Sequence, residues 1–391
     1  MPKKNTLSLF FKINKDIDSY SMFLKQLHLI QFKNFDKLDI ALSEGINIFT
    51  GNNGQGKTNL LDAIYLLCMT KSYFQYSEKN IVQFGKDFFR AKGIFIKDNK
   101  DVVIDCKYKL PGQKSFIKDD KDIKKYASYI GFLPIVIITP GDIQLIEEGS
   151  EERRRFMDIS ICQIDPIYTE NLTKYNKLLK QRNSLLKNMN QQKLSQNELL
   201  EFYNEEMAKI SVTIVHARQK FTDEIANLYQ EIYGSLTDKA EKVRMQYQPD
   251  CIGDISDFIK LYNQNKGKDL LLERTTHGIH KDDLEFVLED KPVKRIGSQG
   301  QIKSTIFAAK LSQYQWLKNA SSTLPILLLD DIFDKLDHDR VTNLMKIIDD
   351  NIYGQIFITD TYRERVRSIL PKLNKKSICF NIHQGNINQY E

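Results

Sequence analysis

The stretch from Phe23 to Phe32 reads as a strand, and Leu38, Ile40 and Leu42 then alternate strictly with polar neighbours, giving one face to a core and one to water. After Gly45 the alternation stops: Ile46 to Thr50 reads as a strand buried on both faces, and a helix-like segment from Asn59 to Met69 follows. Two antiparallel strands ahead of that buried strand predict an α+β opening rather than a dinucleotide-binding βαβ unit. Ala91 to Ile96, Val102 to Tyr108 and Ile135 to Thr139 read as further strands, the last stopped by Pro140-Gly141.

The period changes at Ser150, which can cap a helix whose first turn carries Glu151 and Glu152 at the favourable end of the dipole, followed by Arg153, Arg154 and Arg155. Helical texture continues to about Tyr233. Leu172, Tyr175, Leu178, Leu179, Leu185 and Leu186 recur at helical spacing with Lys174, Lys177, Lys180, Arg182 and Lys187 between them. Asn190-Gln191-Gln192 makes a polar turn, and a second helix runs from about Gln196 past Lys220. The pair predicts an antiparallel helical hairpin, an arm projecting from the rest. Its lysines are either a solvated face or a stripe that meets DNA phosphates. After about Asp269 the α/β texture returns, with a helix over Ser304 to Lys318 and strands at Ile326 to Leu329 and Gln355 to Thr359. The predicted organisation is a possible N-terminal extension at 1–21, a first lobe at 22–149, a helical arm at 150–269 and the completion of the first lobe at 270–391. Residues 1–21 are lysine-rich without a clear period, so the true start is Met22 or the segment is a loose arm.

Composition narrows the class. With 391 residues, 41% hydrophobic and 28% charged, the chain has the make-up of an ordinary globular protein of two lobes. Its longest apolar runs are strand-sized, so the expected compartment is the cytoplasm. Five scattered cysteines without C-x-x-C spacing argue against zinc or a disulfide framework. A net charge of +6 permits a nucleic-acid partner without demonstrating one. The 18 tyrosines, 22 phenylalanines and Trp316 read as core, since no run of them interleaves with Lys and Arg as a stacking platform would.

The chemistry lies between the buried strand and the helix. Gly51-Asn52-Asn53-Gly54-Gln55-Gly56-Lys57-Thr58 is a complete phosphate-binding loop: glycines let backbone N–H groups close on phosphate oxygens, Lys57 supplies the mobile cation and Thr58 can ligate Mg²⁺. The helix behind it points its positive end at the nucleotide. Far along the chain, Ile326 to Leu329 ends in Asp330 and Asp331. This predicts Asp330 beside the loop as a second Mg²⁺ ligand, with Asp331 orienting or deprotonating the attacking water. Just upstream, Ser298-Gln299-Gly300-Gln301 matches the signature of ABC-type ATPases, in which a serine hydroxyl and a helix N-terminus reach across to the γ-phosphate held by a second subunit; Ser298, Gly300 and Gln301 are therefore candidate nucleotide contacts. Asp334-Lys335-Leu336-Asp337 is similar to the D-loop of those enzymes. Together these predict an ABC-type ATPase head with an inserted helical lobe that dimerises on ATP.

At this point the chain resembles the RecF family of bacterial recombination mediators, relatives of the SMC-type ATPases. The resemblance rests on Gly54 to Tyr65, Arg153 to Asp158, Gln181 to Lys187, His280 to Leu284, Ser298 to Gln301 and Leu327 to Asp331. The family's opening is similar to the text from Met22, which favours that residue as the start. The resemblance implies an ATP- and DNA-binding protein of recombinational repair, replication restart and the SOS response. It implies recognition of single-/double-strand junctions at gaps and recombinase loading with RecO and RecR. Some positions depart from the family: Ile302 and Lys303 replace a glutamine and an arginine after the signature, Asp334 replaces a D-loop serine, and Tyr73 and Phe74 stand where an arginine is common. Asp360 and Thr361 follow the late strand where transporter ATPases carry a histidine, so slow hydrolysis is the expectation, with Thr361 as γ-phosphate sensor or none.

Other readings stay open. A nucleotide-binding subunit of a transporter would share the loop and signature but carry that histidine and a shorter helical insertion; a small-molecule kinase would explain neither the signature nor the paired aspartates. His277 and His280 with Asp282 and Asp283 form a metal cluster or a structural turn, or an interface or DNA-facing segment. Arg153, Arg154 and Arg155 serve a helix turn, with Glu151 and Arg155 paired, or else DNA phosphates or inter-lobe coupling. Lys177, Lys180 and Arg182 are the arm's candidate DNA contacts.

Overall fold

The strands sort into three sheets in the computed structural model, which describes residues 22–75, 77–192, 197–237, 241–321, 323–332, 338–349, 353–369 and 374–390. The questions of the start site and of the D-loop at 334–337 lie outside the described residues. The first sheet is antiparallel. It contains β1 (Met22–Phe32), β2 (Phe35–Ala41), β4 (Phe88–Lys97), β5 (Lys100–Lys109), β6 (Gln113–Lys118) and β7 (Lys121–Asp122), in the order β2-β1-β4-β5-β6-β7. The second sheet is ordered β15-β14-β3-β13-β12-β8, from β3 (Ile46–Thr50), β8 (Ile135–Ile138), β12 (Ile326–Leu329), β13 (Ile356–Asp360), β14 (Ser377–His383) and β15 (Asn386–Gln389). All its pairings are parallel except the edge pair β14–β15. The third is a small antiparallel sheet of β9 (Val243–Gln248), β10 (Asp283–Leu288) and β11 (Lys291–Pro292).

The short, wholly apolar strands are explained by what covers them. Helix α1 (Lys57–Met69) has both its ends and its middle buried, because it is sandwiched between the antiparallel and parallel sheets. Phe49, Ile135, Ile137, Ile326, Leu328 and Phe357 face α1 and the first sheet. Their alternating neighbours Ile48, Val136, Ile138, Leu327, Leu329 and Ile358 face the opposite way, into a second core. Burial on both faces of a parallel strand removes the polar alternation, which is why these segments read as continuous apolar runs.

That second core is roofed by helices. α2 (Ser150–Cys162), α3 (Pro166–Gln192) and α4 (Asn197–Thr237) are followed by α5 (Ile255–Gln264), α6 (Lys266–Leu271), α7 (Gln299–Ala320), α8 (His338–Ile348) and α9 (Arg363–Ile369). The N-cap of α2 is Gly149, and the Ser150 hydroxyl accepts from Arg154 instead. α3 and α4 pair as the predicted hairpin, but α4 is not merely an arm. Its buried stripe continues to Leu236, and its second half lies on α7, where Phe221 meets Trp316 edge-on at 4.9 Å and Trp316 Nε1 donates to Glu224 at 2.8 Å. The boundary drawn after residue 269 runs between β9 and β10, which pair along their whole length.

Candidate functional site

The phosphate loop sits where β3 leaves the centre of the parallel sheet, between neighbours β13 and β14. Two of its glycines are required by close approach as well as by conformation. Gly51 (φ +152) passes so near the Ile382 carbonyl that a Cβ would lie 2.4 Å from it, and Gly56 (φ +113) would place one 2.4 Å from the Asn34 amide. Asn34 belongs to the β1–β2 turn; it donates to the Gln55 carbonyl and accepts from Asn59, each at 2.8 Å, and so braces the loop from outside. Lys57 is nearly buried, and its ammonium donates to the carbonyls of Gly51 (2.7 Å) and Asn52 (3.2 Å), curling the loop around it. Helix α1 starts at Gly56 without a side-chain cap and without an acidic residue in its first turn, so its leading N–H groups and dipole fit an anion.

The distant aspartates arrive beside the loop. Asp330 follows β12, and its two carboxylate oxygens lie 3.1 and 2.9 Å from the Thr58 hydroxyl. An octahedron with metal–oxygen bonds of roughly 2.1 Å sets neighbouring oxygens about 3.0 Å apart, so this hard-oxygen pair fits two adjacent positions around Mg²⁺. Burial pushes the Asp330 carboxyl above its ordinary range, opposed by hydrogen bonds from Thr359 and Thr58. Asp331 adopts φ +43, the left-handed region that few side chains accept, and its N–H donates to Thr359 Oγ1 at 2.8 Å. That same hydroxyl donates to Asp330 Oδ1 at 2.7 Å, so one buried threonine at the end of β13 sets both acidic residues. Thr361, the sensor candidate, donates to Asn53 of the loop at 3.1 Å.

Ser298 is exposed as the N-cap of α7. It forms a reciprocal capping box with Gln301, whose side chain also reaches Glu241 at 3.0 Å. Gly300 lies in the first turn between them. A cavity of about 300 Å³ separates this turn from Asp331; Gln299, Ile302 and Lys303 line one side of it and Asp331 and Ile332 another.

Several candidates prove to be internal. Arg182 is fully buried, bonded to Asn204, Asp269 and Thr275 at 2.8 Å each, so it cannot be a DNA contact; it ties α3 to α4, α6 and the chain beyond. Lys177 and Lys180 are exposed on α3. Arg153 forks onto Asp283 (2.6 and 2.9 Å), and Arg154 donates to the Asp282 carbonyl at 2.7 Å, both linking α2 to β10. Arg155 pairs with Glu152, not Glu151, and its guanidinium lies 4.8 Å over the Tyr73 ring while donating to the Tyr73 carbonyl. All three are engaged within the chain, in contacts that join α2 to the start of β10 and to the segment after α1. The histidine segment forms a structural turn held within the chain: His277 meets Asp250, His280 lies between Tyr175 and the Thr275 carbonyl, and Asp282 is buried against Arg218 at 2.7 Å. Among the described residues no group of acidic, histidine or cysteine side chains could hold a metal as a cluster of three.

Sequence reading missed a buried ion pair. Asp142, in the loop after β8, accepts from Tyr73 Oη at 2.8 Å and pairs with Lys310 of α7 at 2.7 Å, joining the segment after α1 to the signature helix. The available signal was Lys310 itself, a charge inside the apolar stretch Ile306 to Leu311.

The chain matches the model of the RecF/RecN/SMC N-terminal domain family over residues 23–377. It is 38% identical to the DNA replication and repair protein RecF of Bacteroides thetaiotaomicron, over 94% of this chain and 99% of that protein. It is 39% identical to the protein of the same name from Flavobacterium johnsoniae, over 92% of this chain and all of the relative. The solved structure of the recombination mediator RecF with ATP, of the RecFOR pathway, superposes with a TM-score of 0.87 at 27% identity, covering 97% of this chain and all of that one. The fold is that of an ABC-type ATPase head, and the chain belongs to the RecF family.

Proposed function

We propose that this chain is an ATP-controlled DNA-binding protein of recombinational repair and replication restart, acting in the cytoplasm at single-/double-strand junctions and assisting recombinase loading with RecO and RecR partners. The observation that carries the nucleotide half is the meeting of Thr58 and Asp330, 272 residues apart in sequence, beside an uncapped helix and a lysine folded into its own loop. In this reading Lys57 and the backbone of residues 51–58 hold the triphosphate, and Thr58 and Asp330 hold Mg²⁺. The bound metal would supply charge neutralisation between the phosphates. Asp331, fixed by Thr359, orients or deprotonates water. Ser298, with Gly300 and Gln301 at the start of α7, reaches the nucleotide of a second copy, which fits its exposure. ATP then favours the closed pair because the paired form holds it with additional donors, and slow hydrolysis removes that advantage.

DNA contacts on such a protein are chiefly to phosphate, so affinity falls with salt by roughly 0.9 log unit per log unit for each duplex phosphate neutralised. Anisotropy of a labelled gapped duplex, titrated at several salt concentrations with and without ATP and Mg²⁺, tests this. Tight binding that needs ATP, weakens as salt rises and is lost in Lys57→Ala supports the reading; binding indifferent to both ATP and salt contradicts it.

A further inference from the structure

Phe84 is fully exposed at the tip of a well-anchored turn. The Lys86 N–H donates to the Gln83 carbonyl at 3.0 Å, and Gly85 takes φ +78, the left-handed third position of a type II turn. The base of the turn is held to the end of β1 and the residue after it by Lys33 N–H to the Ile81 carbonyl (2.7 Å), Gln83 N–H to the Gln31 carbonyl (2.9 Å) and a bridge between Phe32 and Val82. One exposed aromatic is ordinary, but Phe88 and Leu110 are also exposed, where β4 and β5 meet. Cations surround them: Lys109 pairs with Phe88 and Lys107 with Arg90 across the strands, with Lys86 in the turn and Lys92 further along β4. The acidic residues nearby are Asp87 and Asp105, and Asp105 is already held by Arg90 and Lys107 at 2.7 and 3.3 Å. The segment Phe84-Gly85-Lys86-Asp87-Phe88-Phe89-Arg90 thus does interleave aromatics with basic residues, contrary to the sequence expectation, and exposure is what singles it out.

The β1–β2 turn connects this tip to the nucleotide site. Asn34 braces the phosphate loop, while Gln31 and Lys33, at φ +50 and +53, hold the Phe84 turn. We propose that Phe84 stacks on an unpaired base at a single-/double-strand junction, with Lys86 and Lys109 holding the flanking phosphates. A projecting ring amid cations suits a base within a polyanion better than it suits an apolar protein surface. The inference rests on the DNA-binding reading above and adds to it the surface that meets the junction.

The test uses the full chain with ATP and Mg²⁺, a gapped duplex carrying 2-aminopurine at its first unpaired position, and a blunt duplex of equal length. Phe84→Ala is expected to weaken gapped-duplex binding about tenfold and remove the 2-aminopurine fluorescence change, leaving the blunt duplex unaffected, while Phe84→Trp retains both. Unchanged gapped-duplex binding and signal in Phe84→Ala, or an equal loss on both duplexes, overturns the inference and leaves the DNA-binding reading standing. Failure of the unaltered chain to bind either duplex overturns both.

Discussion

Thr359 shows how much of the site hangs on one hydroxyl. It donates to the Asp330 carboxylate and accepts from the Asp331 N–H, so Thr359→Val keeps the shape while leaving a buried carboxylate short of a donor. A hydrogen bond to a charged group is worth about 1.5–3 kcal/mol. Mg²⁺-dependent nucleotide binding should therefore weaken by at least tenfold in Thr359→Val and recover in Thr359→Ser, as read by calorimetry at graded Mg²⁺. His280 offers a second residue-scale prediction. Burial lowers its pKa from 6.5 to about 4, so the folded state resists protonation that the unfolded chain accepts. Its contribution is intact above pH 6.5 and is lost as pH falls toward 4. Between pH 7 and pH 5 the loss should be about 2 kcal/mol, visible in urea denaturation and smaller in His280→Gln. The residue-level signals in the sequence were uneven: the phosphate loop and the paired aspartates announce themselves because their chemistry needs contiguous residues. Thr359, Asn34 and Asp142 act through partners far along the chain, and no local pattern marks them.

At the scale of elements, the hydrophobic pattern was a good guide wherever one period held. β3 and β12 have the bounds read from their apolar runs, and the hairpin of α3 and α4 follows its spacing. Arg182 was misassigned because charge was weighed above position. It is four residues after Leu178 and three before Leu185, on the buried stripe of α3. Its neighbours Lys177 and Lys180 point outward. Arg182→Met strips a buried carboxylate of its partner and should cost about 3–5 kcal/mol, whereas Lys177→Ala and Lys180→Ala should each stay within roughly 0.5 kcal/mol. Chemical denaturation of the three variants checks both statements. The pairing of β9 with β10 could not be read from spacing, because antiparallel strands with a helical insertion between them carry no shared local signal.

For the whole molecule, two layered cores meet at the parallel sheet, and the residues proposed to meet the nucleotide come from both. The phosphate loop and α1 belong to one core; α7, with Ser298 at its start, belongs to the other. The Asp142–Lys310 pair and Arg155 over Tyr73 bridge them, joining α7 to the segment after α1. The central claim is that the nucleotide is shared between two copies. Sedimentation velocity of the purified chain, with and without ATP and Mg²⁺ and repeated for Lys57→Ala, Ser298→Arg and Asp331→Asn with a gapped duplex, tests it most directly. The account predicts conversion of monomer to dimer by ATP, its loss in Lys57→Ala and Ser298→Arg, its prolongation in Asp331→Asn, and DNA retained by the dimer. A chain that binds ATP yet stays monomeric, or a Ser298→Arg variant that dimerises normally, would contradict it.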